Sequence, residues 1–163
     1  MLGMEIERRF LIRMPEQALL SGLESTHIDQ TYIVTDEGRA RLRRRGAGDE
    51  WKYILTRKKR VSPISCIEDE REIGENEYRA LLEKADPKRK TIKKTRYILQ
   101  YLGQSFEIDV FSFWRDRAIM ELELESEEQT IFLPPDIRVI KEISQDKRYT
   151  NSALAVEVLY EKI

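Results

Sequence analysis

One cysteine and one histidine occur in the 163 residues. Cys66 by itself forms no internal disulfide, and with His27 as the single histidine neither a cysteine-based zinc site nor a histidine-rich metal site can be assembled. Glycine and proline are scarce, at seven and five, and no Gly-, Pro- or Ser-rich stretch marks a linker. No apolar run is long enough to span a membrane and no secretory signal opens the chain, so the expected location is cytoplasmic. Neither sign of charge is in surplus: 29 Lys and Arg stand against 30 Asp and Glu, for a net charge of -1. That balance argues against a general nucleic-acid coat, which needs a positive excess. Any bound metal would rely on carboxylates, which favour hard cations such as magnesium or manganese.

What is abundant is charge of both signs. Charged residues make up 36% of the chain, well above the roughly 25% of an average globular domain. The length fits a single domain over residues 1–163, with enough apolar content for a core. Hydrophobic periodicity is mostly two, so the expected class is α+β and mainly antiparallel β. Strands are expected at 5–12, 27–34, 39–45, 51–59, 65–73, 91–101, 105–111 and 118–125. Asp36-Glu37-Gly38 and Gly46-Ala47-Gly48-Asp49 read as hairpin loops, and Gly103 lies between two strands. Helices are expected at 15–20, at 75–85 before Pro87, at 127–133 before Pro134 and Pro135, and at 151–161. Ser152 or Thr150 would cap the last.

Alternate residues of a strand point to opposite faces. Glu5, Glu7 and Arg9 then share a face of the first strand, and Arg39, Arg41 and Arg43 a face of the third. Lys52, Thr56 and Lys58 align in the fourth, Glu68, Glu70 and Glu72 in the fifth, and Lys94 and Arg96 in the sixth. Glu107 and Asp109 align in the seventh, Glu121, Glu123 and Glu125 in the eighth. An open sheet with one wet face explains any single strand. It does not explain three arginines in a row, which repel unless an anion lies between them, nor apolar faces with few helices to cover them. Closing the sheet with the charged face inward resolves both. Such an interior is costly when empty, but guanidinium forks fit phosphate oxygens and paired carboxylates hold a divalent cation bridging the same phosphates. Acids and bases around one cavity therefore point to a metal–triphosphate complex.

The opening Glu5-Ile6-Glu7-Arg8-Arg9-Phe10 resembles the Glu-x-Glu-x-Lys signature of the CYTH superfamily, the triphosphate tunnel metalloenzymes. Gln30-Thr31-Tyr32, Arg41-Leu42-Arg43, Leu55-Thr56-Arg57-Lys58, Glu70-Arg71-Glu72, Lys94-Thr95-Arg96-Tyr97, Phe106 to Phe111, Glu121-Leu122-Glu123 and Asp146 to Asn151 are similar to further family motifs, in family order. The spacing resembles the short bacterial branch. The resemblance implies an eight-stranded closed β-barrel, the triphosphate tunnel, with a few peripheral helices and a C-terminal helix near one mouth. It implies hydrolysis of a triphosphate, foremost inorganic triphosphate, with Mg2+ or Mn2+. Alternatives are a thiamine or nucleoside triphosphatase, an adenylyl cyclase, or a non-catalytic polyphosphate- or nucleotide-binding module. The expected partner is a small-molecule triphosphate, without nucleic acid or membrane, and a homodimer is left open.

Carried over by motif, Glu5, Glu7, Glu121 and Glu123 would hold the metal. Glu70, Glu72 and Asp109 would complete a second metal or water site. Arg41, Arg43, Lys58, Lys94 and Arg96 would grip phosphates, and Lys147 and Arg148 would line the tunnel near the C-terminal helix. Arg9 stands where the family has lysine. In some short members that lysine works with the tyrosine matching Tyr32 in acid–base chemistry, which places Tyr32 and Arg9 with Glu70, Glu72 and Asp109 among the catalytic candidates. Arginine keeps the charge without releasing a proton, so Arg9 is expected to bind phosphate.

Overall fold

The computed structural model describes residues 2–163. Nine strands form one antiparallel sheet: β1 (Leu2–Arg13), β2 (Glu24–Thr35), β3 (Gly38–Ala47), β4 (Glu50–Arg60), β5 (Ser65–Ile73), β6 (Ile92–Tyr101), β7 (Gln104–Phe111), β8 (Arg117–Glu123) and β9 (Val139–Glu142). Neighbours run β5-β4-β3-β2-β6-β7-β8-β1-β9, and β5 also pairs with β1, which closes eight strands into a barrel. Closure is staggered. Leu2 to Ile6 of β1 pair with β5, whereas Glu7 to Arg13 pair with β8 on the other edge. This leaves an unpaired edge on the second half of β1, and β9 covers it by pairing with Phe10 to Ile12. Unpaired strand edges are costly when buried, and four residues suffice to satisfy this one. The alternation signal over so short a segment is too weak to announce β9 in advance.

The hairpins turn where expected. Between β6 and β7 both central residues have positive φ, Leu102 at 50° and Gly103 at 73°. Two-residue hairpins of this twist require that, and Gly103 supplies one position without strain.

Three helices complete the fold: α1 (Gln17–Leu20), α2 (Glu75–Leu82) and α3 (Asn151–Val156). The outward apolar faces of the strands are covered in two patches. α2 lays Tyr78 over Ile33, Ala40, Leu42, Leu55 and Ile73. The segment carrying Ile131 and Ile137, with Leu19 of α1, covers Phe10, Ile12, Phe106, Ile108, Met120 and Leu122. Each large apolar side chain so buried contributes about 1.5–3 kcal/mol.

A third cluster lies on the other side of the sheet. Leu11, Ile92, Phe111 and Ile119 have the parity of the inward charges, and they pack against Trp114, Ile143, Tyr149, Leu154 and Ala155. One end of the barrel interior is therefore filled by an apolar plug built on α3. Thr150 caps α3, accepting from Ala153 N at 3.1 Å.

Two helix expectations are corrected. Residues 127–133 form no helix, and Gln104 takes up the backbone groups of Phe132 instead: its Nε2 donates to Phe132 O at 2.8 Å and its Oε1 accepts from Phe132 N at 3.0 Å. The C-terminal helix stops at Val156 instead of residue 161, with Glu157 extended at φ -145° and ψ 122°. α2 likewise ends at Leu82, three residues short of the expected boundary.

Candidate active site

The polar part of the barrel interior encloses a cavity of about 530 Å3. β1 contributes Glu5, Glu7 and Arg9, and β8 contributes Glu121 and Glu123. β3 contributes Arg39, Arg41, Arg43 and Arg45, and β4 adds Thr56, Lys58 and Arg60. Glu68 and Glu70 come from β5, Arg96 and Glu107 from β6 and β7, and Tyr32 from β2. Ser144, Thr150, Asn151 and Ser152 form the shelf on the plug side. The period of two dictates this membership: each strand sends alternate residues inward.

Register sets which charges meet. Arg9 pairs across from Glu121, and Glu7 from Glu123. Arg9 Nε donates to Glu121 Oε1 at 2.9 Å, and its Nη1 donates to the Tyr149 carbonyl at 2.9 Å. Its Nη2 is buried with no partner. Arg43 Nη2 donates to Glu70 Oε2 at 3.1 Å, while the Nε atoms of Arg41 and Arg43 are buried and unpartnered. Lys58 Nζ lies 3.0 Å from Glu5 Oε2 and 3.5 Å from Glu68 Oε2. Donors buried without acceptors cost about 1–3 kcal/mol each, and the arginines that carry them line the cavity.

The acidic side shows the complementary imbalance. Burial pushes the Glu7 carboxyl up to about 8, reinforced by Glu121 and Glu5. Burial also raises Glu123, with Glu5 and Glu68 adding to it. Burial and Arg41 oppose the charged form of Lys58, but Glu5, Glu7 and Glu68 outweigh them and its pKa ends above the ordinary value. On the basic side, burial followed by Arg41 lowers Arg43 to about 9. Burial raises the Tyr32 hydroxyl, which accepts from Gln30 Nε2 at 2.7 Å. Tyr32 is therefore a neutral hydrogen-bond donor at ordinary pH, and Arg9 provides no exchangeable partner for it.

The donor set fits a hard divalent cation. Oxygen ligands converge from three strands, and a cation would favour the charged form of Glu7 that burial, Glu121 and Glu5 oppose. Among the described residues the tightest grouping of ligand atoms is Glu5, Cys66 and Glu68, all within 4.8 Å of one another.

The structure brings together Glu5, Glu7, Glu121, Glu123, Arg9, Tyr32, Arg41, Arg43, Lys58, Glu70 and Arg96, as the sequence suggested. Five expected site residues stand off the cavity wall. Lys94 and Asp109 are 1% and 0% exposed and pair at 2.7 Å. Asp109 also receives Arg96 Nε at 2.8 Å and Nη2 at 2.9 Å. Lys94 and Asp109 therefore form a buried support behind Arg96, next to the apolar plug, where Lys94 Nζ lies 5.5 Å from the centre of the Phe111 ring. Burial lowers Lys94 to about 8 despite Asp109, and Asp109 is held well below the carboxylate range by Lys94 and Arg96, which outweigh its burial. Glu72 keeps the parity of Glu68 and Glu70 but is exposed beyond the cavity. Lys147 and Arg148 lie in a 3-10 turn on the exposed side of the plug, and Arg148 pairs with Asp146 at 2.7 Å.

Other cavity residues carried no role in the sequence reading. Arg45, Arg60, Glu68 and Glu107 extend the same alternation and were readable from it. Ser144 and residues 150–152 left no such signal, because only the docking of β9 and the plug brings them to the site.

The CYTH domain model matches residues 3–150. Two curated relatives are inorganic triphosphatases. The protein from Nitrosomonas europaea is 33% identical over 158 residues, covering 94% of this chain and 98% of that protein. The protein from Acetivibrio thermocellus is 33% identical over 154 residues, covering 94% of each. A crystal structure of an inorganic triphosphatase, 32% identical, superposes with a TM-score of 0.57 over 94% of this chain and 95% of that one. With the charged barrel on one side and these matches on the other, the chain belongs to the CYTH domain family.

Proposed function

We propose that the protein hydrolyses inorganic triphosphate with the help of a divalent cation. The observation that carries this reading is the composition of the cavity: eight bases and seven acids line it, with Tyr32 as its one aromatic ring and Ala40 and Pro63 as its apolar residues. A ligand carrying both signs, a polyphosphate with its cation, complements such a wall. A nucleobase or thiamine ring needs an apolar or stacking shelf, and the lining residues supply none. Two relatives bearing the name inorganic triphosphatase over nearly the full length support the same substrate.

In this reading Glu5, Glu7 and Glu123, with Glu121 and Glu68 beside them, hold the cation, and oxygen ligands favour Mg2+ or Mn2+. When bound there, such a cation would offset phosphate charge and polarise the phosphoryl oxygens. Arg9, Arg41, Arg43, Lys58 and Arg96 bind phosphate oxygens and spread the charge that develops in the transition state. Tyr32 donates a hydrogen bond into the cavity, and Glu70 orients a water in line with the terminal phosphate. Asp109 and Lys94 hold the plane of Arg96 without touching substrate.

A panel of inorganic, thiamine and nucleoside triphosphates, each assayed for phosphate release with magnesium, manganese and calcium, tests the proposal. Preferential release from inorganic triphosphate is expected. Faster turnover of an organic triphosphate, or cyclic AMP formation from ATP, would overturn the substrate assignment.

A further inference from the structure

After α3 the last seven residues have no regular secondary structure, yet they are tied down along their length. Trp114 Nε1 donates to Leu159 O at 3.1 Å, the Tyr160 hydroxyl to Phe113 O at 3.2 Å, and Arg117 Nη1 to Glu161 O. The Glu161 carboxylate accepts from Lys141 Nζ at 2.7 Å and from the Tyr149 hydroxyl, with Arg148 Nη2 at 3.5 Å. Tyr149 is fully buried in the plug. Its ring is thus anchored to the tail, while its carbonyl holds Arg9 Nη1 inside the barrel.

We propose that Glu161, acting through Tyr149, is a positioning residue for Arg9. A guanidinium is planar, and one contact leaves it free to turn. Glu121 fixes Nε and the Tyr149 carbonyl fixes Nη1, and together they set the plane. The buried Nη2 has no partner of its own, and Arg9 lines the cavity wall. A lysine at this position would present one rotatable ammonium and would not need the second anchor. The tail therefore matters to catalysis in this chain because residue 9 is arginine. The kinetic side of this inference rests on the triphosphatase reading.

The test is a double-mutant cycle of Glu161→Ala with Arg9→Lys, with Tyr149→Phe as a second way to cut the link. In the Arg9 protein, Glu161→Ala should lower kcat/KM for magnesium triphosphate about tenfold, since small misplacements of a binding group are expensive. Glu161→Gln, which still accepts from the tyrosine, should restore most of it. In the Arg9→Lys background the same change should cost less than about twofold, although Tm falls equally in both. Equal kinetic penalties in the two backgrounds, or a lower Tm with unchanged kinetics, would overturn the inference. A second readout is independent of turnover. The Arg9 Nε–H resonance, identified by its loss in Arg9→Lys, should exchange slowly in the parent and faster in Glu161→Ala and Tyr149→Phe. Unchanged exchange defeats the positioning role. A parent that releases no phosphate defeats only the triphosphatase reading.

Discussion

Replacing Glu7 by glutamine should make the metal-free protein more stable while abolishing turnover. The Glu7 carboxyl sits at about 8 in the folded chain against an ordinary 4.5. A raised acid favours folding fully below its unfolded value, and that advantage is lost as pH climbs toward the folded value. By about pH 7 some 2.5 units of the window have passed, and each unit is about 1.4 kcal/mol, so the parent forfeits up to about 3 kcal/mol. Glutamine does not ionise and escapes this loss. At about 2–4 °C per kcal/mol for a chain of this size, Glu7→Gln in chelator should melt about 5–10 °C above the parent at neutral pH and near it at about pH 4. Magnesium should raise the parent's Tm and leave the variant's nearly unchanged. Lys94, lowered to about 8, acts above that pH and in the opposite sense, so the comparison belongs between about pH 4 and 8. Thermal unfolding and phosphate release in the same samples decide the matter. A variant less stable than the parent in chelator at pH 7, or near-normal metal-dependent hydrolysis, would refute the account of Glu7.

Other perturbations separate binding from support. Arg43→Ala removes a buried fork from the phosphate wall and should raise KM about 10- to 100-fold, the worth of a hydrogen bond to a charged group; an unchanged KM would count against the contact. Asp109→Ala leaves Lys94 buried without its partner, while Arg96 keeps Glu107 at 2.5 Å, and should destabilise by about 3–5 kcal/mol in denaturant unfolding. Pairing it with Lys94→Met should recover part of that loss, and a single variant within about 1 kcal/mol of the parent would contradict the buried triad. Tyr32→Phe keeps the packing and removes one donor, so kcat/KM should fall by no more than about 100-fold with an unaltered pH profile; loss of the basic or acidic limb would assign Tyr32 a proton-transfer role instead.

The sequence by itself determined the barrel and most of its charged lining. Alternation placed Glu5, Glu7 and Arg9 on one face, and the segregation of signs between strands required those faces to converge around a shared ligand. Depth was not legible, because period-two parity says which face a residue takes and nothing about how far along the barrel it lies. Lys94 and Asp109 have the same parity as Arg96 and Glu107 but fall off the cavity wall, buried, where their charges neutralise each other. β9, the plug shelf of Ser144 and residues 150–152, and the link from Glu161 through Tyr149 to Arg9 were decided by tertiary structure alone. Each joins segments far apart in the chain, with Arg9 and Tyr149 separated by 140 residues, and each answers a need that exists only once the staggered barrel has closed: a strand edge to pair, an open end to fill, a guanidinium plane to fix.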